Sequence, residues 1–285
     1  MNAPNVSDRA APGMPAPRIV GRPGLGGKLE LVVRRIQNLS EVPFPEPCLV
    51  HVTRGQKRLT VGDENFTAGP GEVLFVNAGV RASMLNLPDE DGLYTATCVV
   101  LASDLVREHA GARGGPPGVP WRALAKPDLD GGVLAALVHV ADGMSAQSPL
   151  SDRLLRHRLL ELLIALDDAG CWCRVAAVAG MAERARRILG AEPAAPWTAA
   201  TLAARLHLGE SSLRRALGAE GHSFRGLLDE VRMGLALALL QGSSYSVQRI
   251  ALECGYASAS RFSARFRCAF GVLPSVLRGV SGARR

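Results

Sequence analysis

Two stretches near the carboxyl end decide the fold: residues 202–217 read LAARLHLGESSLRRAL, and residues 250–271 read IALECGYASASRFSARFRCAFG. In the first stretch, apolar residues follow a helical spacing, break off near His207 and then resume with the same spacing. Two helices that meet at such a short break form a helix-turn-helix. The second stretch repeats the pattern, with a break near Gly255 and a capping serine, Ser258, before its second helix. The sequence therefore predicts two helix-turn-helix units.

An apolar helix over residues 224–240 is predicted to join the two units. A helix of about 17 residues is roughly 25 Å long. That length suits two recognition helices that enter the major groove about one DNA turn apart, on the order of 34 Å. Gly271 ends the last long helix, and Pro274 permits a short final one.

Helix geometry, at roughly 100° per residue, decides which side chains of the two recognition helices face outwards. Leu213 points inward in the first unit, and Phe262 points inward in the second. Arginine pairs with guanine edges, whereas serine contacts bases or phosphates. The predicted DNA-binding residues are Ser211, Ser212, Arg214, Arg215, Ser258, Ser260, Arg261, Arg265 and Arg267. Arg215 and Arg261 are the candidate base readers and Arg265 a candidate phosphate contact, with a solvated face as the alternative for each arginine.

Positive charge is concentrated in this same part of the chain. The 285 residues carry a formal net charge of +7. Residues 180–285 hold 15 Arg and no Lys against 7 acidic residues, a charge of +8, so the rest of the chain carries −1. A one-sided basic excess suits a polyanion such as DNA, and a solvated basic surface is the alternative.

The amino-terminal half has a different pattern. From Leu29 to about Leu101, short strands alternate with turns, which indicates a small antiparallel barrel or sandwich. After Asp128 the spacing becomes helical, and the two amphipathic helices there either form a dimer interface or pack on the barrel. We expect an α+β fold, with a small antiparallel β-barrel and flanking helices followed by an all-α domain. The predicted division is a flexible tail at 1–27, a barrel domain at 28–168, a linker at 169–179 and a DNA-binding domain at 180–280.

Several classes of protein are disfavoured by what the sequence contains. No run reaches the roughly 18 apolar residues of a membrane span, and no signal-peptide core is present, so we expect a cytoplasmic protein without a membrane partner. The six cysteines form no C-x-x-C pair and are expected to be reduced, buried thiols, although a redox role for Cys171 and Cys173 stays open. His51 stands alone among the strands, which argues against a metal, a cofactor or a barrel enzyme.

The helical part resembles the AraC family of transcriptional regulators between Trp197 and Arg278. The residues that carry the resemblance are Gly221, Ser223, Phe224, Arg232, Ile250, Ala251, Gly255, Tyr256, Ser258, Ser260, Phe262, Phe266, Phe270, Gly271, Pro274 and Arg278. Three positions depart from the family pattern: Gly209 replaces a capping serine, Ala264 a common arginine, and Leu277 a common aromatic residue. These departures leave the base preference open but not the fold.

The resemblance implies a sequence-specific regulator, more often an activator than a repressor, that binds promoter DNA, contacts RNA polymerase and forms a homodimer. The strands, above all residues 69–79 (GPGEVLFVNAG), resemble the cupin-like sensing domain of such regulators, which implies a possible small-molecule effector. The alternatives are an architectural DNA-binding protein without an effector and a cupin-type enzyme.

The segment that joins the two units, with LRR at 213–215, EGHSF at 220–224 and EVRM at 230–233, is most similar to the enterobacterial virulence and urease regulator branch, where the resemblance suggests fatty acids, urea or no ligand. Basic residues that are candidates to neutralise a carboxylate are Arg34, Arg35, Arg54, Lys57 and Arg58. Ordinary charges on the strand surface are the alternative for all five.

Overall fold

A computed structural model describes residues 19–113, 122–128, 132–145, 150–175 and 178–278. Their strands are β1 (Ile19–Arg22), β2 (Gly26–Val33), β3 (Gln37–Phe44), β4 (Cys48–Arg54), β5 (Gln56–Val61), β6 (Glu64–Ala68), β7 (Val73–Val76), β8 (Val80–Leu87), β9 (Tyr94–Leu101) and β10 (Leu124–Ala125). Their helices are α1 (Ser103–Arg113), α2 (Val133–Gly143), α3 (Asp152–Asp168), α4 (Met181–Ala191), α5 (Ala199–Arg205), α6 (Glu210–Ala219), α7 (Phe224–Gly242), α8 (Val247–Glu253), α9 (Ala259–Phe270) and α10 (Pro274–Arg278). The α+β class predicted from the sequence is confirmed.

The strands form two antiparallel sheets that face each other. One has the order β1-β2-β9-β4-β7-β10 and the other the order β3-β8-β5-β6. Leu31 and Val50 of the first sheet share a buried core with Leu39, Leu59 and Met84 of the second. The predicted antiparallel barrel or sandwich is therefore confirmed.

The six-stranded sheet is buried on both faces. In β4, Cys48 and Val50 face the second sheet, whereas Leu49 packs with α2 and α3. Because both faces are covered, this strand is a continuous apolar run rather than an alternating one. The inner stripes of α2 and α3 pack on the sheet, whereas Val138 (40% exposed) and Leu154 (45% exposed) lie outside these stripes.

The predicted flexible tail, 1–27, extends too far along the chain, because it includes residues that form a strand. Residues 1–18 lie outside the described residues, but Ile19 pairs with Leu29 in the β1–β2 hairpin. Gly26 lies so close to β9 that a Cβ there would be 2.0 Å from the carbonyl oxygen of Val100, and its φ is +132°. Glycine is needed for this close approach. Because the β1–β2 hairpin has the same Gly- and Pro-rich composition as the residues before it, sequence inspection did not predict it.

The carboxyl-terminal helices do not form a separate body. Residues of α7, α8 and α9 share one buried core with the two sheets, whereas α4, α5 and α6 enclose another core together with Leu227 and Val231 of α7. The end of α7 lies against the β1–β2 hairpin, where a Cβ on Gly242 would be 2.4 Å from Cδ1 of Leu29. The second helix-turn-helix unit is thus built directly onto the barrel. No described helix is long and apolar enough to cross a membrane.

Candidate DNA-binding surface and effector pocket

The first helix-turn-helix unit consists of α5 and α6. Thr198 begins α5, since its hydroxyl accepts a hydrogen bond from the N–H of Thr201 at 3.1 Å. Leu202 and Leu213 face each other's helices in the buried core. The opposite face of α6 carries exposed side chains: Ser211, Ser212, Arg214 and Arg215. Gly209 occupies the N-cap position without a side-chain bond, as its placement in the sequence predicts.

The turns of the two units share one backbone geometry. His207 in the first unit and Gly255 in the second adopt left-handed φ values of +57° and +76°. In each case the next N–H donates back to a carbonyl of the preceding helix, at 2.9 Å and 2.8 Å respectively. This geometry ends the first helix of each unit and directs the chain into the second. The two units therefore have the same turn.

The second unit, α8 and α9, is held by stacked aromatic rings. Ser258 caps α9 by accepting from the N–H of Arg261 at 3.4 Å. Ring centroids lie 5.9 Å apart for Phe262 and Phe266, and 4.7 Å apart for Phe266 and Phe270. All three rings are buried. The exposed face of α9 carries Ser260, Arg261, Ala264, Arg265 and Arg267.

Two arginines among the residues that carry the family resemblance stabilise the helical domain from inside. Arg232 of α7 donates to the carbonyl oxygens of Pro193 and Ala195, both at 3.0 Å, and lies against the ring of Tyr256. It therefore ties the segment between α4 and α5, and the turn of the second unit, to α7. Arg278 donates to the carbonyl oxygen of Leu239 at 3.3 Å, among other acceptors beyond the end of α7. These two side chains position the units.

Eight of the nine predicted DNA-binding residues are exposed, on α6 and α9. The ninth, Ser258, is half-buried because its hydroxyl caps α9. Arg265 differs from the other arginines on these faces, since it forms an ion pair with Asp229 of α7. The surface groove along α9 is lined by Ser260, Arg267 and their neighbours.

A cavity of about 160 Å³ lies between the barrel and α7. Its wall is mainly apolar and includes Leu31, Val50 and Val100 of the first sheet. Leu237 of α7 and Phe270 of the recognition helix α9 complete that wall. A molecule in the cavity would therefore touch the strands of the barrel together with α7 and α9.

Only one of the five basic residues proposed for a carboxylate is inside the barrel. Lys57 is 1% exposed, whereas Arg34, Arg35 and Arg58 are exposed. Arg54 pairs with Asp89 at 2.8 Å. For Lys57 the surface alternative is therefore wrong, because Lys57 shares the inward face of β5 with Leu59, while Arg58 between them points outwards.

The buried lysine lacks a carboxylate partner among the described residues. Its Nζ donates to Sδ of Met84 at 2.7 Å and to Oδ1 of Asn86 at 2.8 Å. Burial lowers the pKa of Lys57 to about 8. A buried ammonium without a counter-charge is poorly stabilised, which favours an acceptor group brought by a ligand.

A buried chain of polar side chains runs from Lys57 to α7. Asn86, which accepts from Lys57, donates through Nδ2 to Oε1 of Gln37 at 3.2 Å. The same oxygen accepts from Nε2 of Gln241 at 2.9 Å. Sequence inspection missed Asn86, Gln37 and Gln241, since isolated amides in a strand or helix give no distinctive pattern.

The histidine and cysteine side chains considered for a metal or redox role show no such site in the described ranges. No group of three His, Cys, Asp or Glu side chains in the described ranges is suited to a metal ion. His51 is half-buried, and burial lowers its pKa. The described cysteines are all free, and only Cys268 is exposed while Cys173 is intermediate.

Two family models match separate parts of the chain. Residues 43–163 match an AraC-like ligand binding domain, and residues 202–279 match a helix-turn-helix domain. The first range contains β4, β5, β8 and β9 of the cavity wall but not β1 and β2, and the second contains both predicted units. Neither is a model of an enzyme.

Curated relatives match the helical part. The urease operon transcriptional activator of Escherichia coli is 42% identical over 87 residues, which is 30% of this chain and 29% of that protein. The regulator GadX of Escherichia coli CFT073 is 40% identical over 79 residues, 28% of this chain and 29% of that protein. The matched segment thus spans under a third of each relative's length. Both are named as regulators, so the cupin-type enzyme alternative is dropped.

Solved structures match nearly the whole fold. ToxT from Vibrio cholerae superposes with a TM-score of 0.61 at 14% identity, covering 90% of this chain and 98% of that one. ToxT described as bound to an unsaturated fatty acid gives a TM-score of 0.58 at 16% identity, covering 89% of this chain and 97% of that one. At such identity the likeness concerns the fold alone.

Proposed function

Because the chain joins an AraC-like ligand-binding domain to an AraC-type helix-turn-helix domain, and so belongs to the AraC family, we propose that it is an effector-responsive regulator of transcription. It binds promoter DNA with α6 and α9 in adjacent major grooves. The observation that carries this proposal is the pair of exposed, Ser- and Arg-bearing helix faces, each backed by a buried apolar face.

Within that surface the side chains divide by role. Arg215 and Arg261 project freely and are the candidate base readers, since bidentate arginine–guanine pairs give the commonest specific contact. Arg265 is already paired with Asp229, so a phosphate is its more suitable partner. Contacts from Ser211, Ser212, Arg214, Ser258, Ser260 and Arg267 complete the proposed surface. The domain division at residues 168 and 180 stays a prediction.

The regulator is further proposed to be a cytoplasmic homodimer that activates transcription through contact with RNA polymerase. On α2 and α3, Val138 (40% exposed), Leu154 (45% exposed) and Ile164 (42% exposed) leave apolar surface uncovered. This supports a self-association surface on the side of the barrel away from α7.

The test of DNA recognition is a binding-site selection with the full chain, followed by footprinting of the selected site. A defined footprint and affinity that falls steeply with salt are expected, because arginine–phosphate contacts release counterions. Arg58→Ala on β5 is the matched control for Arg215→Ala and Arg261→Ala, since it removes one exposed arginine away from the recognition helices and from the proposed self-association surface. Sequence-indifferent binding would favour an architectural protein, and no retardation at low salt would refute DNA binding.

The effector is proposed to be a small, mainly apolar molecule whose carboxylate or carbonyl oxygen accepts a hydrogen bond from Lys57. Binding would draw Lys57 away from Asn86 and so disturb the polar chain that ends at Gln241 of α7. Since Phe270 lies in the cavity wall, the same molecule also contacts the base of a recognition helix. The cavity is thereby coupled to the DNA-binding surface through two routes.

A medium-chain carboxylate, octanoate, is the first probe. It should raise the melting temperature of the wild-type protein, because a ligand that binds only the native state stabilises it. Lys57→Met should lose that shift, whereas Arg58→Met, which removes an exposed charge from the next position of β5, should keep it. An equal shift in both variants, or none in the wild type, would contradict the assignment of Lys57 as the carboxylate-binding group.

A further inference from the structure

The first unit is attached to the barrel domain in a different way from the second. The second unit shares an apolar core with both sheets. Among the described residues, the core that α5 and α6 form with α4 contains side chains of α7 but none of the barrel domain. A cavity of about 360 Å³ lies between α4 and the barrel domain, and charged side chains of both, such as Asp104 and Glu183, contribute to its wall. Ion pairs, rather than a shared apolar core, therefore join α4 to the barrel domain.

Four charged side chains form an ion-pair cluster between α1 and α4. Nη1 of Arg107, on α1, donates to Oε2 of Glu183, on α4, at 3.0 Å, and Nη2 donates to the other carboxylate oxygen. Asp104 of α1 accepts from Arg107 and, at 2.9 Å, from Arg187 of α4. The side chain of Arg107 is only 13% exposed, so solvent screens these pairs less than pairs on the open surface. The two bonds between Arg107 and Glu183 fix orientation as well as distance.

Glu230 of α7 makes a second link between α4 and the barrel domain. Its Oε2 accepts from Nη2 of Arg81, on β8, at 3.0 Å, and its Oε1 accepts from Nε of Arg186, on α4, at 2.7 Å. The Glu230 side chain is 11% exposed, and a carboxylate buried to this extent is costly unless it is paired. One carboxylate thus holds an arginine from each side, and α4 is restrained at two points.

The attachment of α4 decides where the first recognition helix lies. α4 packs with α5 and α6 around one core, which Leu227 and Val231 enter from the amino-terminal half of α7. The end of α7 packs instead on the barrel domain, to which the second unit is also attached. A rotation of the first unit about its contact with α7 would therefore move α6 relative to α9. The ion pairs of α4 oppose that rotation, because α1 and β8 belong to the barrel domain.

We propose that Arg107 and Glu183 are positioning residues that fix the tilt of the first unit on α7 and thereby set the half-site spacing that the protein accepts. The proposal rests on the proposed binding of α6 and α9 in adjacent major grooves. One base pair inserted between the half-sites moves the second by about 3.4 Å and rotates it by about 34° around the DNA axis. A first unit held by bidentate ion pairs follows this change only by breaking them, whereas an unrestrained unit follows it at lower cost.

The test measures binding of the native full chain to the selected site and to variants of that site with one base pair inserted or removed between the half-sites. The wild type should lose at least about tenfold in affinity on either change, because breaking a largely buried ion pair is costly. Arg107→Met and Glu183→Gln should each lose no more than about threefold, since the pair is already absent. Base preference within each half-site should stay unchanged in both, because neither residue lies on α6 or α9.

Arg54→Met is the matched control, since it removes an arginine that is paired with Asp89 and Asp91 of the barrel domain rather than with α4. It should keep the spacing dependence of the wild type. The double variant Arg107→Met/Glu183→Gln should behave like Arg107→Met alone, because both changes remove one interaction. Binding is measured at a temperature at which circular dichroism shows every variant to be folded.

Two results would overturn the proposal: a spacing dependence in Arg107→Met equal to that of the wild type, or an equal loss of spacing dependence in Arg54→Met. A relaxed base preference in Arg107→Met would also contradict it, because a positioning residue on α1 does not contact bases. Failure of the proposed function gives a different result, since the wild type would then retard no site at any spacing.

Discussion

Two neighbouring residues of α9, Arg261 and Phe262, allow the effect of a substitution on stability to be separated from its effect on DNA recognition. Phe262 is 0% exposed, with its ring centroid 5.7 Å from Tyr256 and 5.9 Å from Phe266. Phe262→Ala should cost about 3–5 kcal/mol of stability, because it empties a core site that holds two aromatic contacts. Arg261 is exposed, so Arg261→Ala should change stability by no more than about 0.5 kcal/mol.

The same two variants should behave in the opposite way towards DNA. Arg261→Ala should lose roughly 1–3 kcal/mol of discrimination at a few base pairs, if the arginine pairs bidentately with guanine. Urea unfolding measures the first effect, and fluorescence anisotropy with the selected site and its point variants measures the second. Arg215→Ala provides the parallel measurement in the first unit.

Two results would refute this reasoning. If Arg261→Ala weakens binding to every sequence equally, Arg261 contacts phosphate and the base reader lies elsewhere on α9. If Phe262→Ala unfolds like the wild type but loses sequence preference, the assignment of inward and outward faces is wrong.

Three further predictions concern the backbone and the buried lysine. Gly242→Ala should lose about 1–3 kcal/mol of stability by pressing α7 against Leu29 in urea unfolding, whereas Gly218→Ala, in open space on α6, should be neutral or slightly stabilising. Gly255→Ala should lower the melting temperature, since the φ of Gly255 is +76° and a Cβ there would lie 2.7 Å from Nη2 of Arg232. His207→Gly should raise stability by up to about 1 kcal/mol, because glycine adopts the left-handed conformation of this position without strain. An unchanged melting temperature in Gly255→Ala would contradict the shared turn geometry. The pKa of Lys57 falls from 10.5 to about 8 on folding, so the unfolded chain holds the proton more tightly between these values, and stability rises with pH there. The stability advantage of Lys57→Met over the wild type should therefore shrink by on the order of 3 kcal/mol from pH 7 to pH 10.5, and parallel pH profiles would contradict the assignment.

Local periodicity was sufficient for the helical domain. The spacing of Leu213 and Leu217, and of Phe262 and Phe266, follows the helical repeat closely enough to predict which faces are buried. Ser258 was predicted as a cap for a local reason too, because its bond reaches only three residues along the chain. Interactions of this range are encoded in short segments, so a single sequence reveals them.

The strands of the barrel were harder to predict from the sequence than the helices. β3 and β6 lack a strong alternating or apolar run bounded by turns, and β1 lies in a segment of tail-like composition. Their place is set by pairing partners distant in sequence, such as β3 with β8. Strand formation depends on these neighbours more than on intrinsic preference.

The sequence by itself determined that the chain has two helix-turn-helix units, which surfaces they expose, and that antiparallel strands precede them. Only the tertiary structure decided that the second unit shares its core with the barrel, that Lys57 points inward, and that Asn86 and Gln37 connect it to Gln241. Gln37 and Gln241 are separated by 204 positions. No local pattern specifies such a contact, because it arises when two independently patterned surfaces pack together and each buried polar group must find a partner there.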